Sequence, residues 1–180
     1  MPQPPEPLPD DTLRDYLSGR PVPNRGAEVN RQAFLQFLVE AKGYPLEALG
    51  TDIPLEVAIG GEVYRSHIDV LVRTPARSVW ALAVKCAAGS LGSWEREIVA
   101  AARLAREDYQ IPWSVVTDGR DAVMLDTAQG KVVGRGLAAI PGPRELERRL
   151  EKMGLTPYPA SRREREKLIF RTYDVMNVNR

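Results

Sequence analysis

The stretch "SHIDVLVRTPARSVWALAVKCAA", residues 66–88, decides the reading of this chain. Two apolar, β-branched runs flank the polar break "RTPARS", which is the pattern of two strands and a connecting loop. Each run carries one charge that does not belong in an apolar strand, Asp69 in the first and Lys85 in the second. Side chains alternate along a strand. His67, Asp69 and Leu71 therefore point one way and Ile68, Val70 and Val72 the other. On the second strand Val79, Ala81, Ala83 and Lys85 share a face opposite Trp80, Leu82 and Val84. A loop over residues 74–78 pairs Arg73 with Val79, hence Asp69 with Ala83 and Lys85 with His67. Asp69 and Lys85 become diagonal neighbours, roughly 7–8 Å apart at the backbone.

Working outward, "IPLEVAI", "GG" and "EVYRSHIDVLV" form a hairpin on a two-residue Gly-Gly turn. Residues 53–85 thus read as an antiparallel meander. Upstream, "AEVNRQAFLQFLVEAKGYP" is a helix with Val29, Ala33, Phe34, Phe37, Leu38 and Ala41 in its apolar stripe, stopped by Gly43 and Pro45. Before it, "DDTLRDYLSG" reads as a short helix, "RPVPNRG" as a linker and residues 1–9 as a proline-rich tail. Downstream, "WEREIVAAARLAREDY" is a helix, followed by the strand and turn segments "IPWSVVT", "DGR", "DAVMLD", "TAQG" and "KVVG". Two helices close the chain, "PGPRELERRLEKMG" and "SRREREKLIFRTYDVM", the latter with Leu168, Ile169, Tyr173 and Met176 as its apolar contacts. A strand, a helix and a further strand in succession make a parallel pair. The fold class is α/β (α+β), a mixed central sheet flanked by helices.

The bulk composition excludes more than it assigns. The chain has 180 residues, enough for one well-buried core. It has 25 basic and 24 acidic residues, so no global field points to nucleic acid or membrane. No run reaches the roughly 18 apolar residues of a membrane span. One cysteine, Cys86, makes no internal disulfide and suits a reducing cytoplasm. One histidine, His67, leaves no zinc site built from several His and Cys residues.

A carboxylate and a lysine gathered at strand ends are two parts of a metal-dependent phosphodiesterase site. The carboxylate holds a hard cation such as Mg²⁺, and the lysine stabilises charge developing on phosphorus. A second acid two residues before the lysine would complete the set, and that position is Ala83. Each residue also has a plainer reading. Asp69 can pair with Arg65 or Lys85, Lys85 can extend to water from a strand end, and Glu28 is an ordinary helix N-terminal acid. His67 reads as a satisfied strand residue, Cys86 as a small buried hydrophobe, Trp94 and Trp113 as packing residues, and the arginine-rich segment 162–171 as a solvated face.

Together Glu28 and Arg31 of "EVNRQAFLQFL", then "KGYPLEAL", Asp69 of "HIDVLV" and Lys85 of "LAVKCA" resemble the N-terminal domain of type I restriction enzyme R subunits, in the PD-(D/E)XK nuclease superfamily. The resemblance spans about residues 25–141 and implies a restriction-endonuclease-like core there, with 1–24 as tail and short helix and 142–180 as a C-terminal helical extension. It implies Asp69 as metal ligand, Lys85 as catalytic lysine, Glu28 as an accessory acid, Mg²⁺ as cofactor and DNA as partner, with a protein partner or homodimer also open. The activity implied is Mg²⁺-dependent cleavage of DNA, with an impaired metal site; a non-catalytic descendant that keeps the fold is the alternative. The family's Glu-x-Lys acid falls at Ala83, and the glutamine of its next helix has no match in "IVAAARLA". Glu95 or Glu97 on that helix could supply the missing acid. No G-x-x-x-x-G-K-[ST] motor motif occurs in the sequence.

Overall fold

The computed structural model describes residues 10–177, with side chains through residue 172. The proposed tail 1–9 and the contacts assigned to Tyr173 and Met176 lie outside these described parts.

Six strands form one sheet in the order β3 (Leu49–Ile59), β4 (Glu62–Arg73), β5 (Trp80–Cys86), β6 (Trp113–Thr117), β7 (Ala122–Asp126) and β8 (Lys131–Arg135). All neighbours are antiparallel except β5 and β6, which are parallel. The crossover between that pair is α2 (Glu95–Leu104), as parallel strands require. Gly60 and Gly61 make the tight turn between β3 and β4 with φ of 57° and 88°. A two-residue turn with both φ values positive matches the right-handed twist of the strands it joins.

The sheet is covered on both faces, which explains why β5 and β6 are apolar without alternation. On one side α1 (Ala27–Gln36) and α3 (Pro143–Met153) lay Phe34, Leu35, Leu146 and Leu150 against Val70, Val72, Leu82, Val84 and Val115. On the other, α2 and α4 (Ala160–Asn177) lay Ile98, Ala101, Ala102 and Phe170 against Ile68, Leu71, Ala83 and Val116. The first helix runs on through a π-helical turn at Phe37–Ala41. Its buried residues include Leu35, while Val29 is exposed. Within the expected α4 stripe, Leu168 is exposed and Phe170 is the residue in the core.

The meander is in place, but its second hairpin is shifted by two residues. Arg73 pairs with Trp80 rather than Val79, and a bulge then pairs Val72 with Leu82. Loop and bulge each add one residue. Ala83 therefore lies opposite Leu71, not Asp69. A shift of two preserves which residues of β5 share a face beyond the bulge. At the bulge itself the alternation breaks, and Trp80 packs with the α2 cluster rather than with Leu82 and Val84. Alternation breaks in β4 as well, where Ile68 joins the α2 side while Val70 and Val72 face α1. Opposite this break, Asp52 has φ 51° and drops out of the ladder between the pairs Thr51–Val70 and Ile53–Ile68.

The expected helix near residue 12 is a hairpin instead. β1 (Thr12–Arg14) pairs with β2 (Pro21–Pro23), which lies in the supposed linker. Asp15 accepts hydrogen bonds from the Ser18 amide and hydroxyl, and Gly19 takes φ 71°. Such side-chain-to-backbone bonds draw the chain into a turn and away from a helix. Gln32 of α1 anchors the hairpin through Asp15 and the Tyr16 amide.

The arginine-rich segment of α4 is not wholly solvated. Glu166 is buried and accepts from Arg103 at 3.1 Å and Tyr158 at 2.9 Å, with Arg96 at 3.4 Å. The α4 interface is therefore part core and part buried ion network. Phe170→Ala should cost about 3–4 kcal/mol and lower Tm by roughly 10 °C. Leu168→Ala on the same helix should stay within about 0.5 kcal/mol. Differential scanning calorimetry of the two variants checks both.

Candidate functional site

Asp69 and Lys85 meet where β4 and β5 part. The last ladder pair is Val70–Val84, and continuing that register sets Asp69 beside Lys85. The Asp69 carboxylate is buried and takes the place of the next backbone acceptor: its Oδ2 accepts the Cys86 amide at 2.6 Å. Its Oδ1 meets His67 Nε2 at 2.9 Å. Burial works against the ionised form of Asp69. The His67 bond, the Lys85 charge and the Cys86 amide outweigh it and hold the pKa below 3.8. The Asp69 hydrogen bond, opposed by burial, in turn raises His67 above 6.5.

From His67 the polar chain runs back to α1. His67 Nε2 lies 4.0 Å from Asp52 Oδ1, and Arg31 Nη1 donates to that same oxygen at 2.5 Å. Arg31 also holds Glu28, with Nη2–Oε2 at 2.7 Å, and Gln32 donates to Glu28 at 2.7 Å. Glu28 is thus linked to Asp69 through Arg31, Asp52 and His67, and its carboxylate is neutralised by Arg31. Glu28, Arg31, Asp52, His67 and Asp69 surround a cavity of about 140 Å³.

Lys85 turns toward α2. Its Nζ lies 3.4 Å from Glu97 Oε1 and 5.0 Å from the centre of the Trp94 ring. Of the two acids on that helix, Glu97 therefore reaches the lysine. Glu95 lines a separate groove with Arg96 and Gly130. Arg65, His67, Asp69, Lys85 and Trp94 face a second cavity of about 300 Å³. Cys86 also lines it; the residue is buried, and that burial raises its thiol pKa well above the ordinary value.

The family model described as type I restriction enzyme R protein N terminus matches residues 26–141. The chain belongs to this family. No curated protein and no solved structure is a significant match to it. The match begins at α1 and ends before α3, so the whole polar chain from Glu28 to Lys85 lies inside the restriction-enzyme domain. No described helix is long and apolar enough to cross a membrane.

Magnesium is the cofactor that the resemblance implies, and the donor set does not fit a complete site. Both Asp69 oxygens are engaged, Arg31 holds Glu28 and Asp52, and position 83 is alanine. Among the described residues, no group of three or more His, Cys, Asp or Glu is arranged to hold a metal ion. Sequence reasoning missed Asp52. The stretch "GTDIP" sets Asp52 between Thr51 and Ile53 rather than inside an apolar run, so the signal that marks Asp69 is absent there.

His67 is the sole histidine, so its ring resonances report the network directly. A proton NMR titration should give a pKa above 6.5, falling in Asp69→Asn. The stability His67 contributes is full below 6.5 and is lost as pH rises through its folded value. That of Asp69 is present above 3.8 and lost as pH falls through its own, lower value. Urea unfolding should therefore show this pair contributing most near about pH 5.

Proposed function

We propose that this restriction-enzyme domain engages the sugar–phosphate backbone of DNA at the Asp69–Lys85 cavity and hydrolyses it slowly or not at all. The observation that carries the reading is the composition of that cavity. Arg65, His67 and Lys85 line it, each with an acidic partner in Glu56, Asp69 and Glu97 that a phosphate could replace, while the strand position for a second metal-binding acid is Ala83. Cationic side chains bind phosphate without reading base sequence. Efficient hydrolysis by this superfamily's chemistry needs a divalent ion to polarise the phosphate and activate water. Asp69 with its oxygens spent on His67 and Cys86 is a poor start for such a site. The alternative is a scaffold that keeps the fold and binds protein.

Purified protein with Mg²⁺ or Mn²⁺ should leave supercoiled plasmid intact. Nicking that disappears in Asp69→Ala would sink the non-cleaving reading. Duplex DNA should bind with strong salt dependence, and Lys85→Ala should weaken it by about tenfold. Absence of any DNA binding at low salt would favour the scaffold. Ala83→Glu returns an acid to the face of Lys85, and calorimetry should show Mg²⁺ affinity up by about tenfold.

A further inference from the structure

Among the described residues, Glu97 is the charged side chain that carries a buried oxygen with no hydrogen-bond partner. Its side chain is 4% exposed, on the first turn of α2. One oxygen makes a single contact, the 3.4 Å approach of Lys85, and the other is buried with no hydrogen-bond partner. Charge-assisted bonds between ammonium and carboxylate normally close to about 2.7–2.9 Å. An apolar residue would fill this volume at less cost to stability. The packing of α2 against the sheet does not need a carboxylate there, since Ile98, Ala101 and Ala102 supply the apolar contact.

Lys85 provides the reason. Register brings it beside Asp69, yet the ammonium leans the other way, onto Glu97 and over Trp94. Its side chain is 12% exposed, through the cavity it shares with Arg65 and His67. We infer that Glu97 is a built-in counter-ion that holds Lys85 against α2 until a phosphate oxyanion takes the ammonium over. The long Lys85–Glu97 contact leaves that ammonium exchangeable, and the pair keeps an unliganded cavity from exposing a bare lysine. Glu97 is thus a positioning residue acting through Lys85. The inference rests on the reading that the cavity receives DNA phosphate.

Two readouts test it. Glu97→Gln keeps the size of the side chain and removes its charge; Glu97→Met fills the same space without polar atoms, should the amide destabilise the fold. The first readout needs no ligand: acylation of Lys85 by an amine-reactive ester, quantified by peptide mass spectrometry. It should rise about tenfold in either variant, as the amine loses its partner and shielding. The second is affinity for a DNA duplex in Mg²⁺-free buffer, which should also rise about tenfold. Unchanged acylation overturns the counter-ion role. Faster acylation with no DNA binding by any form keeps the counter-ion and removes the DNA reading. Mg²⁺ binding by the parent protein that vanishes in Glu97→Gln overturns the inference in favour of a metal-ligand role for Glu97.

Discussion

The bond from the Cys86 amide to the Asp69 carboxylate is the constraint around which the site is built. A buried carboxylate is tolerable only when its oxygens are bonded. Asp69 meets that condition by taking a main-chain donor from the neighbouring strand, which ties the ends of β4 and β5 where the ladder between them stops. Its other oxygen requires His67, and His67 approaches Asp52, which Arg31 holds together with Glu28. One desolvated charge thereby organises a chain of groups from the first helix to the middle of the sheet. On the far side of β5 the same demand appears in weaker form, with Lys85 and Glu97 compensating each other imperfectly.

Most of the scaffold was legible because its signals are local. The Gly-Gly turn, the β-branched runs and the single helix between parallel strands each have a direct physical reading. Asp69 and Lys85 stood out as charges in apolar strands, and the structure does bring them together. The details that escaped depend on partners far along the chain. Register of the second hairpin needed both the true loop length, which Pro75 marks as a turn without fixing, and the bulge at Ala81, which no glycine or proline marks. The β1–β2 hairpin depends on Gln32 of α1 to hold Asp15 and Tyr16. Phe170 is core and Leu168 is not because of where α4 crosses the sheet. Asp52 matters through a backbone conformation, φ 51°, that its neighbours do not announce.

The family relationship and the donor set at the site are separate observations, and each has a physical basis. Resemblance is carried by the order of elements and by Asp69 and Lys85, which the fold places at the junction of two strands. The metal site that the resemblance implies needs a second acid, and at that position Ala83 sits fully buried against the α2 side of the sheet. A domain can keep the architecture that presents a site while altering one group on which the reaction turns.

The matched segment ends before α3, yet the molecule's packing does not. Arg103 of α2 is buried and depends on Glu166 of α4 for its charge partner, and Phe170 closes the same layer. Excising residues 26–141 alone would leave that guanidinium only the Thr127 and Ala128 carbonyls and open an apolar face to water. The portable piece of this protein, the one that could be grafted onto another chain and still fold, is longer than the stretch by which its ancestry is recognised.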